Sequence, residues 1–496
     1  MVQQLILRVG QVLGAAGVCK DIPAARIKAV TDKIMAVAIG SAVSKEEFAV
    51  LIQNFDASEA EGQRSVTSGK ITCKGVERDL AELERASALP PEQAQSSGQV
   101  TAQLQPPPLR QDSQPVAISP GATRGVTDRE IRFGMSAPFS GPSKELGQQL
   151  RLGIQTAFNL ANEKGGVNGR QLKLIAADDG YEPTKTAETM AQLYNNDQVF
   201  GFIGNVGTPT AMVSVPFALE RRALFFGPFS GASMLRRDPP DRYVFNVRAS
   251  YAQETEAVVR YLVKVRRLKP EQIAVFAQQD AFGDSGFSGV AKAMRALRGG
   301  DQGAILRLGY KRNTIDVDEA VAQLKKVPPN GIKAVVMVAS YRAAAKFIEK
   351  THDVMPGLIY TNVSFVGSTA LANELMLLGP RFANGVIVTQ VVPAVDGYSS
   401  VVLDYKNALA RYFPGESPDY VSLEGFITAN ILIEALKRTG TQVDTERVVE
   451  AIESMSEYDM GLGTPITYGR ADHQGSDKVW GTQLSENGKY EPIELQ

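Results

Sequence analysis

Along residues 1–88 the apolar positions recur three and four apart, the period of helices that bury one face. Leu5, Val9, Val12 and Leu13 form one stripe, and Ile27, Val30, Ile34 and Val37 form a second. Ser44 ahead of Lys45-Glu46-Glu47-Phe48 has the capping-box pattern, which predicts a third helix with Phe48, Leu51, Ile52 and Phe55 inward. Val76, Leu80 and Leu83 stripe a fourth helix that begins near Cys73. These segments predict a small all-α module.

The pattern then lapses. Residues 89–126 hold Pro90-Pro91, Ser96-Ser97-Gly98, Pro106-Pro107-Pro108 and Pro120-Gly121 without one aromatic ring. Such a stretch buries too little apolar surface to offset its ordering entropy, so it reads as a disordered, partly extended linker. From Thr127 onward short apolar runs alternate with helix-length amphipathic segments. Ile131–Met135, Leu172–Ala177, Phe200–Ile203 and Ala223–Phe226 are expected strands, with Gly147–Lys164 and Thr184–Asn195 as helices between them. The alternation resumes at Ile273–Ala277, Ile305–Tyr310, Ala334–Val338 and Leu358–Asn362. Two parallel α/β sheets in succession are implied.

Charge and rare residues narrow the chemistry. Lys plus Arg number 53 against 54 for Asp plus Glu, a net charge of −1, so no broad basic field marks a nucleic-acid partner. His352, His473, Cys19 and Cys73 are too scattered for a zinc site. Gly283-Asp284-Ser285-Gly286 resembles the nucleophile stretch of a serine protease, yet no histidine base accompanies it, so an enzyme is not expected. Gly165-Gly166-Val167-Asn168-Gly169 precedes a strand instead of opening a helix, which excludes a nucleotide fingerprint. Cys19 ends the first helix and Cys73 begins the last. A bond between them would stabilise the module by roughly 4 kcal/mol in the chain-entropy account; two buried free thiols are the alternative. The opening Met-Val-Gln-Gln lacks the basic start of a signal peptide, so the chain is either cytoplasmic or numbered after a removed signal.

Several strings in order resemble type 1 periplasmic solute-binding proteins of the leucine/isoleucine/valine-binding kind. They are Ile131-Arg132-Phe133-Gly134-Met135-Ser136-Ala137-Pro138-Phe139-Ser140-Gly141, Gly165–Arg170, Gly204-Asn205-Val206-Gly207-Thr208-Pro209-Thr210, Gly227-Pro228-Phe229-Ser230-Gly231-Ala232, Asp280-Ala281-Phe282-Gly283 and Tyr420-Val421-Ser422-Leu423-Glu424-Gly425. The resemblance spans Thr127–Gln496 and says nothing about the helical module. It implies an α/β fold of two Rossmann-like lobes in a Venus-flytrap arrangement. Lobe one would be about 127–248 and 389–457, lobe two about 249–388 and 458–496. It also implies a periplasmic setting with the signal peptide removed, no cofactor, a monomer, and a membrane permease of an ABC importer as partner.

Carried onto this chain, the resemblance implies that the Thr208 hydroxyl and the Phe229-Ser230-Gly231 loop hold the ligand's polar end, with Phe139 in the first ligand loop. Thr208 reads as a helix cap with Pro209 at the first helical position, and helix N-termini favour anions. Phe282 and Tyr341 would lay rings over the ligand from lobe two. One departure stands out: Ser364 falls where leucine-type members place a carboxylate for the ligand's ammonium. Unless Asp280 or Glu424 fills that role, an aromatic or other carboxylate, or an amide, competes with an α-amino acid. Two functions remain open: a receptor feeding an importer, and a ligand sensor or scaffold signalling through the helical module.

Overall fold

Ile131, Phe133 and Met135 are buried on one face of an eight-residue run whose other face carries Arg132 and Gly134, so this run belongs inside a sheet and not at its rim. The computed structural model describes residues 2–19, 22–23, 26–27, 55, 58, 62–67, 71–73, 75–77, 80, 123–300 and 303–495, which fall into two compact units, 1–109 and 110–496.

In the first unit the helix Val2–Gly17 matches the expected first stripe, with Val9 and Leu13 buried. They share a core with Ala16, Phe55, Val76 and Leu80. Cys19 and Cys73 are bonded, with Cα atoms 5.6 Å apart, so the free-thiol alternative falls away. The side chain of Leu5, the stripe Val30, Ile34 and Val37, the Ser44 cap with Phe48, Leu51 and Ile52, Leu83, and the linker up to residue 122 lie outside the described residues.

In the second unit, β1 (Glu130–Ala137), β2 (Gln171–Asp178), β3 (Gly201–Ile203), β4 (Leu224–Phe226) and β5 (Val244–Phe245) form one parallel sheet in the order β2-β1-β3-β4-β5. The second sheet contains β6 (Ile273–Gln278), β7 (Arg307–Tyr310), β8 (Ala334–Val338), β9 (Ile359–Asn362), β10 (Ile387–Gln390), β11 (Trp480–Leu484) and β12 (Tyr490–Ile493), ordered β12-β11-β10-β9-β8-β6-β7. It departs from the all-parallel expectation at one edge, where β11 runs antiparallel to both β10 and β12. β11 re-enters this sheet only after the chain has passed through the other lobe, and β12 follows it after a five-residue turn, so these two strands form an antiparallel hairpin.

The chain leaves the first sheet after β5, crosses to helix Tyr251–Arg260, and builds the second sheet through β10. It then returns: helices Ser400–Tyr412 and Tyr420–Thr439 pack on helix Lys144–Glu163 of the first lobe. Two glycines bring the last pair to backbone contact. A Cβ on Gly153 would lie 1.8 Å from the Ser422 carbonyl oxygen, and one on Gly425 would lie 2.4 Å from that of Leu150. Small residues at a crossing permit this short axial separation. Among the described residues no helix is long and apolar enough to cross a membrane.

Candidate functional site

Parallel strands present their carboxyl ends, and the loops that follow them, at one edge of a sheet, where open α/β folds bind ligands. Here those edges face each other across the two lobes. From the first lobe come the loops after β3 and β4; from the second come those after β6, β8 and β9.

Gly207 turns the chain out of β3 with φ 108°, a conformation favoured by glycine, and caps helix Thr208–Glu220. Thr208 is thus the first helical residue and Pro209 the second, one position on from the cap the sequence suggested. The displacement follows from the backbone, since a threonine disfavours the left-handed turn that Gly207 makes. The Thr208 hydroxyl is buried and lies 2.8 Å from that of Ser230. Ser230 also accepts the Ala232 amide at 3.3 Å. Gly231 accepts the Tyr251 amide through its carbonyl at 2.8 Å, and a Cβ on it would come within 2.6 Å of Tyr251, so the close approach it permits is to that residue.

A set of rings closes the gap. Phe365, buried just beyond β9, lies 5.3 Å from Phe229, 4.5 Å from Phe282, 6.1 Å from Tyr181 and 6.3 Å from Tyr251. Phe229 and Tyr181 belong to the first lobe, Phe282 and Phe365 to the second. Among the described residues the buried Tyr251 hydroxyl makes no well-formed hydrogen bond, and the hydroxyls of Thr208 and Ser230 lie beside it. Burial pushes its pKa up, against the pull of Arg248.

Beneath the rings is a buried ionic group that sequence reasoning missed. Arg248, on the crossover between β5 and helix Tyr251–Arg260, is 1% exposed. Its guanidinium carbon sits 4.6 Å over the Phe229 ring, with Nη2 3.6 Å from Glu254 and Nε 3.5 Å from Glu424. Nη2 donates to the Ser364 hydroxyl, whereas Nε and Nη1 have no hydrogen-bond partner. Glu254 accepts the Ser364 amide at 2.8 Å, the Ser364 hydroxyl at 3.1 Å and the Thr389 hydroxyl at 2.5 Å. Burial works against the Arg248 cation, but Glu424 and Glu254 hold its pKa above the ordinary value. Burial raises Glu424 to about 7, opposed by Arg248 and assisted by Glu254. Arg236 braces the same loops, donating to the carbonyls of Ser230, Ala232 and Arg248.

Of the residues singled out from sequence, Thr208, Phe229, Ser230, Gly231, Phe282, Ser364 and Glu424 are brought together around Arg248, Tyr251 and Phe365. Two stand apart from this cluster. Phe139 is half-buried, with the Arg151 guanidinium 4.7 Å over its ring. Tyr341 opens helix Tyr341–His352 as expected, and its buried hydroxyl, without a hydrogen-bond partner, has the Glu145 backbone of the first lobe nearby. Burial raises its pKa to about 12. Asp280 is occupied elsewhere: it caps helix Ala281–Leu297 through the Phe282 amide at 3.0 Å, and takes Gln278 at 2.7 Å and Arg312 at 3.4 Å. The signal for Arg248 was local and faint, a lone cation between the apolar β5 and the capping box of Ser250 and Gln253.

The lobes also meet at the rim. Arg312 donates to Glu182 at 2.8 Å, and Asn313 to Glu182 at 2.7 Å and to the Gly180 carbonyl at 3.0 Å. Among the described residues no group of three His, Cys, Asp or Glu side chains is placed to hold a metal.

Two facing sheets with ligand-edge loops converging on one buried polar cluster define a two-lobed solute-binding architecture. Residues 130–489 match the periplasmic binding protein family, and the chain belongs to it, as a type 1 member of the leucine/isoleucine/valine-binding kind. It is 25% identical over 345 residues to the Leu/Ile/Val-binding protein BraC3 of Rhizobium johnstonii, an overlap of 68% of this chain and 88% of that one. A possible leucine/isoleucine/valine-binding protein from Rhodopirellula baltica superposes with a TM-score of 0.70 at 38% identity, over 74% of this chain and 97% of its own. A substrate-binding periplasmic protein from Ralstonia solanacearum gives 0.66 at 26% identity, over 73% and 100%. The family is one of solute-binding proteins and not of enzymes, and its setting is extracytoplasmic.

Proposed function

We propose that this chain is a non-enzymatic receptor that captures a small polar molecule between its lobes and delivers it to the permease of an ABC importer. The observation that carries this reading is the cluster around Arg248, to which both lobes contribute: Phe229 and Glu424 from one, Glu254 and Ser364 from the other. A ligand that touches both sides does so only when they are together, so binding shifts the population toward closure. In this reading the lobes are about 127–248 with 389–457 and about 249–388 with 458–496, the protein is a monomer, and Thr208, Ser230, Phe282 and Tyr341 contact ligand. Small-angle scattering and thermal melting of the full chain with a panel of amino acids, carboxylates and amides test it. One class should shrink the radius of gyration and raise Tm; no response to any solute would overturn the reading.

The disulfide-linked helical unit favours a second reading, a sensor or scaffold, because the family match begins only at residue 130. Capture of membrane proteins by the full chain and by a form lacking residues 2–88 separates the two. A permease retained equally by both leaves the sensor without support.

A further inference from the structure

We propose that the ligand is an apolar monocarboxylate carrying no ammonium group, a specification that rests on the receptor reading above. The cluster has hydrogen-bond donors to spare, while both of its carboxylates already face Arg248. Arg248 is fully buried; among the described residues its Nη1 makes no hydrogen bond and its Nε only faces Glu424 at 3.5 Å, and the Tyr251 hydroxyl lies near those of Thr208 and Ser230. A carboxylate received there would gain charge-assisted bonds from the guanidinium and bonds from neutral hydroxyls.

An ammonium finds no such place. Glu254 already accepts three hydrogen bonds, from Ser364 and Thr389, and faces Arg248 at 3.6 Å. Asp280 is taken up by its helix cap, Gln278 and Arg312. Glu424 is engaged with Arg248, whose Nε lies 3.5 Å away, and burial raises its pKa to about 7, so it is a weak anion for a second cation. Ser364, where an acidic group would complement an α-amino acid, instead hydrogen-bonds Arg248 and Glu254. A ligand ammonium would therefore be desolvated beside a buried cation, with repulsion in place of pairing. The remainder of the lining is apolar: Phe229, Phe282 and Phe365 carry no polar side-chain atom and suit a ring or branched alkyl body.

Matched probes on the full chain decide this by calorimetric titration: 3-phenylpropanoate, phenylalanine and phenethylamine, then 4-methylpentanoate, leucine and isopentylamine. Each triplet keeps the body and changes only the charged groups. The carboxylates are expected to bind at least about tenfold more tightly than the amino acids, and the amines not at all. An amino acid that binds as well as its carboxylate overturns the inference while leaving a receptor in place. So does a panel in which only amides or other polar solutes bind. No binding by any solute removes the receptor reading itself. Because Arg248→Gln is at risk of misfolding, Tyr251→Phe is the second arm: carboxylate affinity should fall about fivefold with Tm unchanged or raised. Unchanged affinity in that variant would overturn the placement of the anion subsite.

Discussion

The two faces of the cleft are built from different chemistry. The first lobe offers Thr208 and Ser230, short side chains at the ends of strands, with hydroxyls held 2.8 Å apart. The second offers Phe282 and Phe365, whose rings meet at 4.5 Å. Arg248 stands on the crossover that joins them and faces a carboxylate from each, Glu424 of the first and Glu254 of the second. Under the proposed receptor reading, the contrast assigns orientation of the ligand to one lobe and the fit of its body to the other, with Arg248 on the crossover supplying the sign of the charge.

The comparison breaks most completely at the hinge. Arg248→Met leaves Glu254 and Glu424 buried without their cation, so stability should fall by about 3–5 kcal/mol in denaturant unfolding and ligand binding should be lost. A variant as stable as the parent would show that the two carboxylates do not depend on Arg248.

Next is the pH response of Glu424, which faces Arg248, Glu254 and Arg236. Its pKa is about 7 in the folded protein against 4.5 for the free side chain, so the folded form keeps a proton that the unfolded form releases. Its contribution is fully present below 4.5 and is lost as pH rises through 7. Glu424→Gln should flatten this part of the profile, gaining up to about 3 kcal/mol over the parent at pH 8. Parallel profiles of parent and variant across that window would remove the buried-acid account.

The two faces are then separated by one substitution on each. Thr208→Val removes a polar-end hydroxyl and leaves the Ser230 hydroxyl with only the Ala232 amide, which should weaken binding of a carboxylate by about 1–2 kcal/mol in calorimetry. Phe282→Leu should cost less, about 1 kcal/mol, and chiefly for probes with an aromatic body. If Phe282→Leu proves the more damaging for every probe, the division of labour is wrong.

The smallest effect on folding is expected at Tyr341. Its hydroxyl is buried without a partner, so Tyr341→Phe should leave Tm unchanged or slightly higher and weaken ligand binding by about 1 kcal/mol if the hydroxyl reaches the ligand. A lower Tm with unchanged affinity would make Tyr341 a packing residue only.

Much of the α/β unit was legible because its strands are apolar runs bounded by turns; Ala334–Val338 is found at the limits read from sequence, and Ile131–Met135 lies within β1. What escaped has physical reasons. β5 is two residues long, and β11 mixes Gly481, Thr482 and Gln483 into a strand whose face is set by pairing with β10 and β12. At the site, Thr208 and Ser230 could be read because a strand, a tight turn and a helix start occur together in the chain. Arg248 could not, since only the fold brings Glu424 beside it and turns a surface-type residue into a buried one. Cys19 and Cys73 were readable as a possible pair but not as a bond, which needs the 5.6 Å approach of their Cα atoms.

The glycine crossing of helices Lys144–Glu163 and Tyr420–Thr439 bears on how the clamshell moves. Backbones in contact at Gly153 and Gly425 have no side-chain cushion to compress, so the pair behaves as a strut of fixed length inside the first lobe. Glu424, next to Gly425, sits on that strut, while Arg248 sits on the crossover about which the proposed receptor would open. In that reading their 3.5 Å separation is a built-in gauge of opening, one that would report the angle between the lobes from within the protein's own interior.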